Sequence, residues 1–190
     1  TCGRCAPSAA VSVSLAFERL SATEAPCRAR WIRTALLELD RIASHAARLG
    51  GVLAAAGFEA GHARALRARE ALLQAVEGAF GSRLLTGVAV PGGVRLDLDT
   101  DHARSLARRA RAVAADIRRL AEVALETPAA LEALDGIAVL PQRLVAELDL
   151  KGPAARASGA RSDVRRDHPY DAYDGLHFWV PLYGQGDALA

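Results

Sequence analysis

Apolar positions recur along most of this chain at helical spacing. Ala9 to Leu20 reads as a first helix, with Val11, Leu15, Phe17 and Leu20 inward. The clearest stripe follows from about Pro26: Ile32, Ala35, Leu36, Leu39, Ile42, Ala43, Ala46 and Leu49 share one face. Gly50-Gly51 either ends this second helix or loosens it. A third helix is predicted from about His62 to Phe80, with Leu66, Leu73, Val76 and Phe80 inward and Gly81 as C-cap. The fourth starts with Asp99 or Thr100 as N-cap and runs to about Glu126. Its seam is Leu106, Ala110, Val113, Ile117, Leu120 and Ala124.

Between the third and fourth helices the pattern changes. Residues 86–97 contain Gly87, Pro91, Gly92 and Gly93 among β-branched residues, which predicts a loop or one short β pair. Thr127-Pro128 stops the fourth helix, and two short helical pieces are expected at Ala129–Leu134 and Pro141–Glu147. From Lys151 the periodicity fades into irregular C-terminal loops. The fold class is therefore mainly α, a helical bundle, read as a single domain over residues 1–190.

Composition narrows the function only a little. The 190 residues are 51% hydrophobic and 24% charged, a globular profile, and no apolar run reaches the ~18 residues of a membrane span. A net charge of +2 does not argue for a nucleic-acid partner. Three cysteines do not make a disulfide framework. Thr1 and Ala190 both look like internal cuts, so a fragment of a longer protein is expected.

Candidate chemistry begins at Thr1-Cys2-Gly3-Arg4-Cys5. Cysteines at this spacing can aim both sulfurs at one metal ion, and Arg4 favours thiolate. By itself the pair is half a zinc site, a redox dithiol or coincidence. Glu38, Arg41 and His45 follow one helix stripe, as a charge relay or a polar seam. Arg67 and Glu70 lie one turn apart. The arginines between Gly152 and Tyr170 are placed to fork onto Asp163 and Asp167 and staple that loop. Gly92-Gly93 lacks the lysine of a phosphate loop, and Cys27 reads as an ordinary thiol.

Taken in order, Cys2-Gly3-Arg4-Cys5, Glu38 to His45, Arg67 to Glu70, Gly92 to Asp97 and Gly152 to Tyr170 resemble the large subunit of nickel–iron hydrogenases. The energy-converting branch is the nearest, that of formate hydrogenlyase and hydrogenase-4. It is homologous to the 49-kilodalton (D-type) subunit of respiratory complex I. The resemblance implies a helical fold around a nickel–iron centre whose iron carries carbon monoxide and cyanide, with reversible dihydrogen oxidation and proton reduction as the activity. Cys2 would be a terminal nickel ligand and Cys5 a bridging one, so both are metal-binding and catalytic candidates. A C-x-x-C pair outside residues 1–190 would complete the site, as the N-terminal β region of the family would precede it.

The partners implied are an iron–sulfur small subunit and membrane-arm subunits. The implied location is peripheral, on the cytoplasmic face of the cell membrane, and NAD is not bound directly. The alternatives are a complex I-like NADH:quinone oxidoreductase subunit passing electrons to quinone, and a non-catalytic helical subunit with a zinc or vestigial metal site. Two departures stand out. Ala9 occupies the position where hydrogenases carry a His that donates a hydrogen bond beside the metal's ligands. Ala55 aligns with the quinone-site acid of complex I.

Overall fold

A computed structural model describes residues 5–190. The order is α1 (Ala6–Ser21), α2 (Cys27–Ala55), α3 (Glu59–Phe80), β1 (Ala89–Val90), β2 (Gly93–Val94), α4 (Thr100–Leu125), α5 (Pro128–Glu132), α6 (Gln142–Glu147), α7 (Pro153–Ala157) and α8 (Val164–Asp167). A 3-10 turn at Tyr173–Gly175 follows. The predicted mainly α class, the short β pair and the two short helices after Thr127 are all present. No described helix is long and apolar enough to cross a membrane. The chain divides into two compact units, one up to Val123 and one from Ala124 to Ala190.

In the first unit α1 starts at Ala6, earlier than the apolar pattern suggests, because Pro7 suits the first turn. Its buried register is Val11, Ser14 and Glu18. The expectation that Phe17 and Leu20 point inward is corrected: they are 58% and 86% exposed, lying off that register. Helix α2 carries the predicted stripe, with Ile32, Leu36, Leu39, Ala43 and Ala46 buried.

α2 also runs through Gly50-Gly51 to Ala55. Gly50 is required by close approach. A Cβ there would lie 3.2 Å from the Ala65 Cβ, and the Gly50 carbonyl is 2.9 Å from His62 Nδ1. α2 and α3 are thereby in tight antiparallel contact.

Helix α3 begins at Glu59, three residues before its predicted start, and Gly81 ends it in the left-handed conformation. Leu66 is 41% exposed, contrary to expectation; the predicted Leu73, Val76 and Phe80 are buried, with Ala65, Ala68 and Leu72 beside them. Asp99 caps α4, its Oδ1 accepting from the amides of Asp101 and His102. Leu106, Val113, Leu120 and Ala124 are the buried members of the α4 seam.

The second unit has little regular structure, and its core is small: Ala130, Val145, Ala155, Ala172 and Tyr173. Backbone bonds stitch its loops, such as the Leu140 amide to the Gly186 carbonyl at 2.8 Å and the Tyr183 amide to the Arg156 carbonyl at 3.0 Å.

Candidate functional site

Cys5 is exposed and immediately precedes α1; its carbonyl accepts the first helical bond, from the Ala9 amide, at 3.0 Å. Cys2, the other predicted ligand, lies outside the described residues. Cys27 opens α2 and is also exposed. Among the described residues no group of three or more His, Cys, Asp or Glu side chains could hold a metal ion. Cys5 therefore brings one thiol, and residues 5–190 do not make up a four-thiolate donor set by themselves.

The far end of α1 is anchored by a network whose partners composition and spacing do not identify. Arg33, on α2, is fully buried, and Glu18 is 7% exposed. The Arg33 guanidinium donates to both Glu18 oxygens, at 2.5 and 3.1 Å. It also donates through Nε to the Gly93 carbonyl at 2.9 Å and through Nη2 to the Val90 carbonyl at 2.6 Å. Glu18 Oε1 accepts in turn from the Gly92 amide at 2.7 Å. One ion pair thus ties α1, α2 and the β1–β2 turn together.

Pro91 and Gly92 form that turn, with Gly92 at φ 85°, a conformation glycine reaches without a Cβ penalty. The arginine bonds hold the Glu18 carboxyl below its ordinary range, against the opposing effect of burial. Arg28 adds a second, exposed tie from α2 to the loop after β2, through Asp97 at 2.7 Å and the Leu98 carbonyl at 2.7 Å.

On the α2 stripe, readable as a charge relay or a polar seam, Glu38 and Arg41 are paired. Arg41 Nε donates to Glu38 at 3.1 Å, while His45 is exposed. Glu70 does not use Arg67: it accepts from Arg83, beyond the end of α3, and from Gln74. Asp40, half-buried on α2, has its carboxyl pushed up by burial, against the pull of Arg41 and Arg69. Ala55 is the last, exposed residue of α2.

In the second unit the predicted arginine staple is present. Arg165 forks onto Asp163, with Nε at 2.9 Å from Oδ1 and Nη2 at 2.8 Å from Oδ2. Arg156 Nη1 lies 3.7 Å from the same carboxylate. The Arg165 bonds above all bring the Asp163 pKa down to about 2 despite its burial. The Arg165 guanidinium also stacks 4.4 Å over the Phe178 ring, and Tyr173 meets Tyr170 and Phe178 edge-on.

Comparison with known proteins places the chain in a family of oxidoreductase subunits. Residues 56–190 match the family described as respiratory-chain NADH dehydrogenase, 49 Kd subunit, and the chain belongs to that family. A D-type NADH-quinone oxidoreductase subunit of Sinorhizobium medicae is 34% identical over 98% of this chain and 46% of its own length. NADH-quinone oxidoreductase subunit 4 of Thermus thermophilus is 34% identical, over 94% of this chain and 44% of its own. Formate hydrogenlyase subunit 5 of Escherichia coli is 31% identical, over 90% of this chain and 30% of that protein.

Among solved structures, a chain of the membrane-bound sulfane sulfur reductase, an archaeal respiratory membrane complex, superposes with a TM-score of 0.83. Its sequence is 30% identical, and the match covers 90% of this chain and 46% of that one. The chain thus spans less than half the length of these relatives.

Proposed function

We propose that this chain is part of a subunit of a membrane-bound oxidoreductase of the complex I type, passing electrons from a neighbouring iron–sulfur cluster to quinone. The observation that supports it is the match to the 49 Kd subunit family over residues 56–190, alongside quinone oxidoreductase subunits related over nearly the whole chain. On this reading the protein sits peripherally on the cytoplasmic face of the membrane. It docks against an iron–sulfur small subunit and the membrane arm, and does not itself bind NAD. The Glu18–Arg33 pair would hold the glycine turn between α3 and α4 against the α1–α2 pair.

A second reading is favoured by one motif. Cys2-Gly3-Arg4-Cys5 and the formate hydrogenlyase relative support the large subunit of a nickel–iron hydrogenase, with dihydrogen and protons as substrates. Cys2 and Cys5 would then supply two thiolates to nickel and iron, and a C-x-x-C pair outside residues 1–190 would supply the rest. When bound, such a centre supplies the heterolytic chemistry of dihydrogen. Residues 5–190 would hold and orient the helix that follows Cys5.

One experiment separates the two readings. The complex is purified with the full-length subunit, wild type and Cys5→Ser, and assayed for metal content, quinone reduction and hydrogen-dependent dye reduction. The quinone reading expects no nickel and a quinone reductase rate that C5S leaves unchanged. Stoichiometric nickel, with hydrogen oxidation abolished by C5S, overturns it in favour of the hydrogenase.

A further inference from the structure

Residues 183–190 of the second unit are bonded through their main chain to two separate segments. On one side the Gly186 carbonyl accepts from the Leu140 amide at 2.8 Å, and the Ala188 amide donates to the Ile137 carbonyl at 2.9 Å. On the other the Tyr183 amide donates to the Arg156 carbonyl at 3.0 Å, and the Gly186 amide to the Ala157 carbonyl at 2.9 Å. Asp187 adds a side-chain bond, its Oδ2 accepting from the Gly136 amide at 2.9 Å.

Side chains contribute little to this attachment. Leu182 to Gln185 and Ala188 are exposed, as are Gly136 to Val139 opposite, and Gly186 is buried at the crossing. Main-chain bonds close to solvent exchange almost evenly with bonds to water, whereas α2 is fastened by a buried apolar face. A segment held mainly by such bonds opens at a lower free-energy cost than a helix packed into a core.

The crossing has two left-handed residues of opposite meaning. Gly186 has φ 70°, and a Cβ there would lie 2.5 Å from the Leu140 carbonyl oxygen, so the position requires glycine. Ala138 has φ 55° and carries the Cβ penalty that glycine escapes. It lies between Ile137 and Leu140, whose carbonyl and amide bond residues 183–190. Those bonds fix the chain on both sides of Ala138. Breaking them lets it return to an ordinary backbone conformation, so its strain belongs to the seated state.

We propose that residues 183–190 are a releasable strap, which leaves its seat as one piece while the helices stay folded, and that strain at Ala138 favours release. Release bares the Leu140 amide and the Ile137 and Ala157 carbonyls, main-chain groups that the seated strap covers. The device operates under either redox reading of the protein.

Residue-resolved hydrogen exchange on the full-length protein tests this, read as the opening constant of each amide. The amides of Leu140, Gly186 and Ala188 should agree within about tenfold and open at least about tenfold more readily than the buried stretch of α2. Gly186→Ala should raise their opening constants about tenfold or more, because the Cβ meets the Leu140 carbonyl. Ala138→Gly should lower them about threefold, because the seated conformation then carries no Cβ penalty. Neither change should alter exchange along α2 by more than about twofold.

The opposite sign of the second substitution separates strain from simple loosening. The proposal is overturned if the three amides open no more readily than α2, if they scatter over more than about tenfold, or if Ala138→Gly fails to slow them. It is equally overturned if Gly186→Ala unfolds α2 together with the strap, since the segment would then not move by itself.

Discussion

Two carboxylate–arginine pairs of nearly equal burial serve different ends. Glu18–Arg33 has side chains 8% and 0% exposed, and Asp163–Arg165 has 5% and 11%. The first joins residues 15 apart and recruits a turn 74 residues from Glu18. The second joins residues two apart within one loop. Burial alone therefore does not say what an ion pair holds. The span does: the first defines how three elements meet, and the second defines the shape of one segment.

Breaking the long-range pair should produce the largest effect. Arg33→Met leaves Glu18 charged and buried, with the Gly92 amide still donating to it, and should cost about 3–5 kcal/mol in urea unfolding. Adding Glu18→Gln should restore part of that loss; strict additivity of the two changes would show that they do not act as a pair.

The local pair should cost less and show itself locally. Asp163→Asn should lose on the order of 1–3 kcal/mol, read as faster amide exchange over residues 156–168, with little change in exchange along α2 and α3. Acid gives the same comparison without mutation. The Asp163 pKa is lowered in the folded state to about 2, so its stabilisation is present above the unfolded value, near 3.8, and is lost as pH falls from there through about 2. Exchange protection of that loop should fade across this window in wild type and show no such step in D163N. The exposed Arg28–Asp97 pair should matter least: Arg28→Ala is expected to leave the unfolding midpoint within error.

The helices are legible in the sequence because apolar residues at i, i+3 and i+4 report a buried face directly, and glycine and proline mark the breaks. The same spacing carries a trace of the clamp. Glu18 falls in register with Val11 and Ser14, and Arg33 adjoins Ile32 and Leu36 on the inward face of α2. A charged residue on an inward register demands a partner, but one-dimensional periodicity cannot say which, because the partners lie 15, 57 and 60 residues away. The loop staple is readable because its members are adjacent in sequence. Cys2 and Cys5 are legible only as a motif, and motif spacing does not reveal the ligands that complete a site. Phe17 and Leu20 mislead because hydrophobic character alone says nothing of angular position around the helix.

The clamp also bears on the order in which the chain acquires its structure. His62 reaches the Gly50 carbonyl across 12 residues, so α2 and α3 can zip together early. The Glu18–Gly92 bond must wait until 74 intervening residues have been arranged. The tie between the helices and the turn therefore closes late, on a bundle already assembled, and is expected to form on the native side of the folding transition state. Its loss should leave the refolding rate nearly unchanged and accelerate unfolding, so that this one arginine governs how long the folded protein lasts more than how quickly it forms.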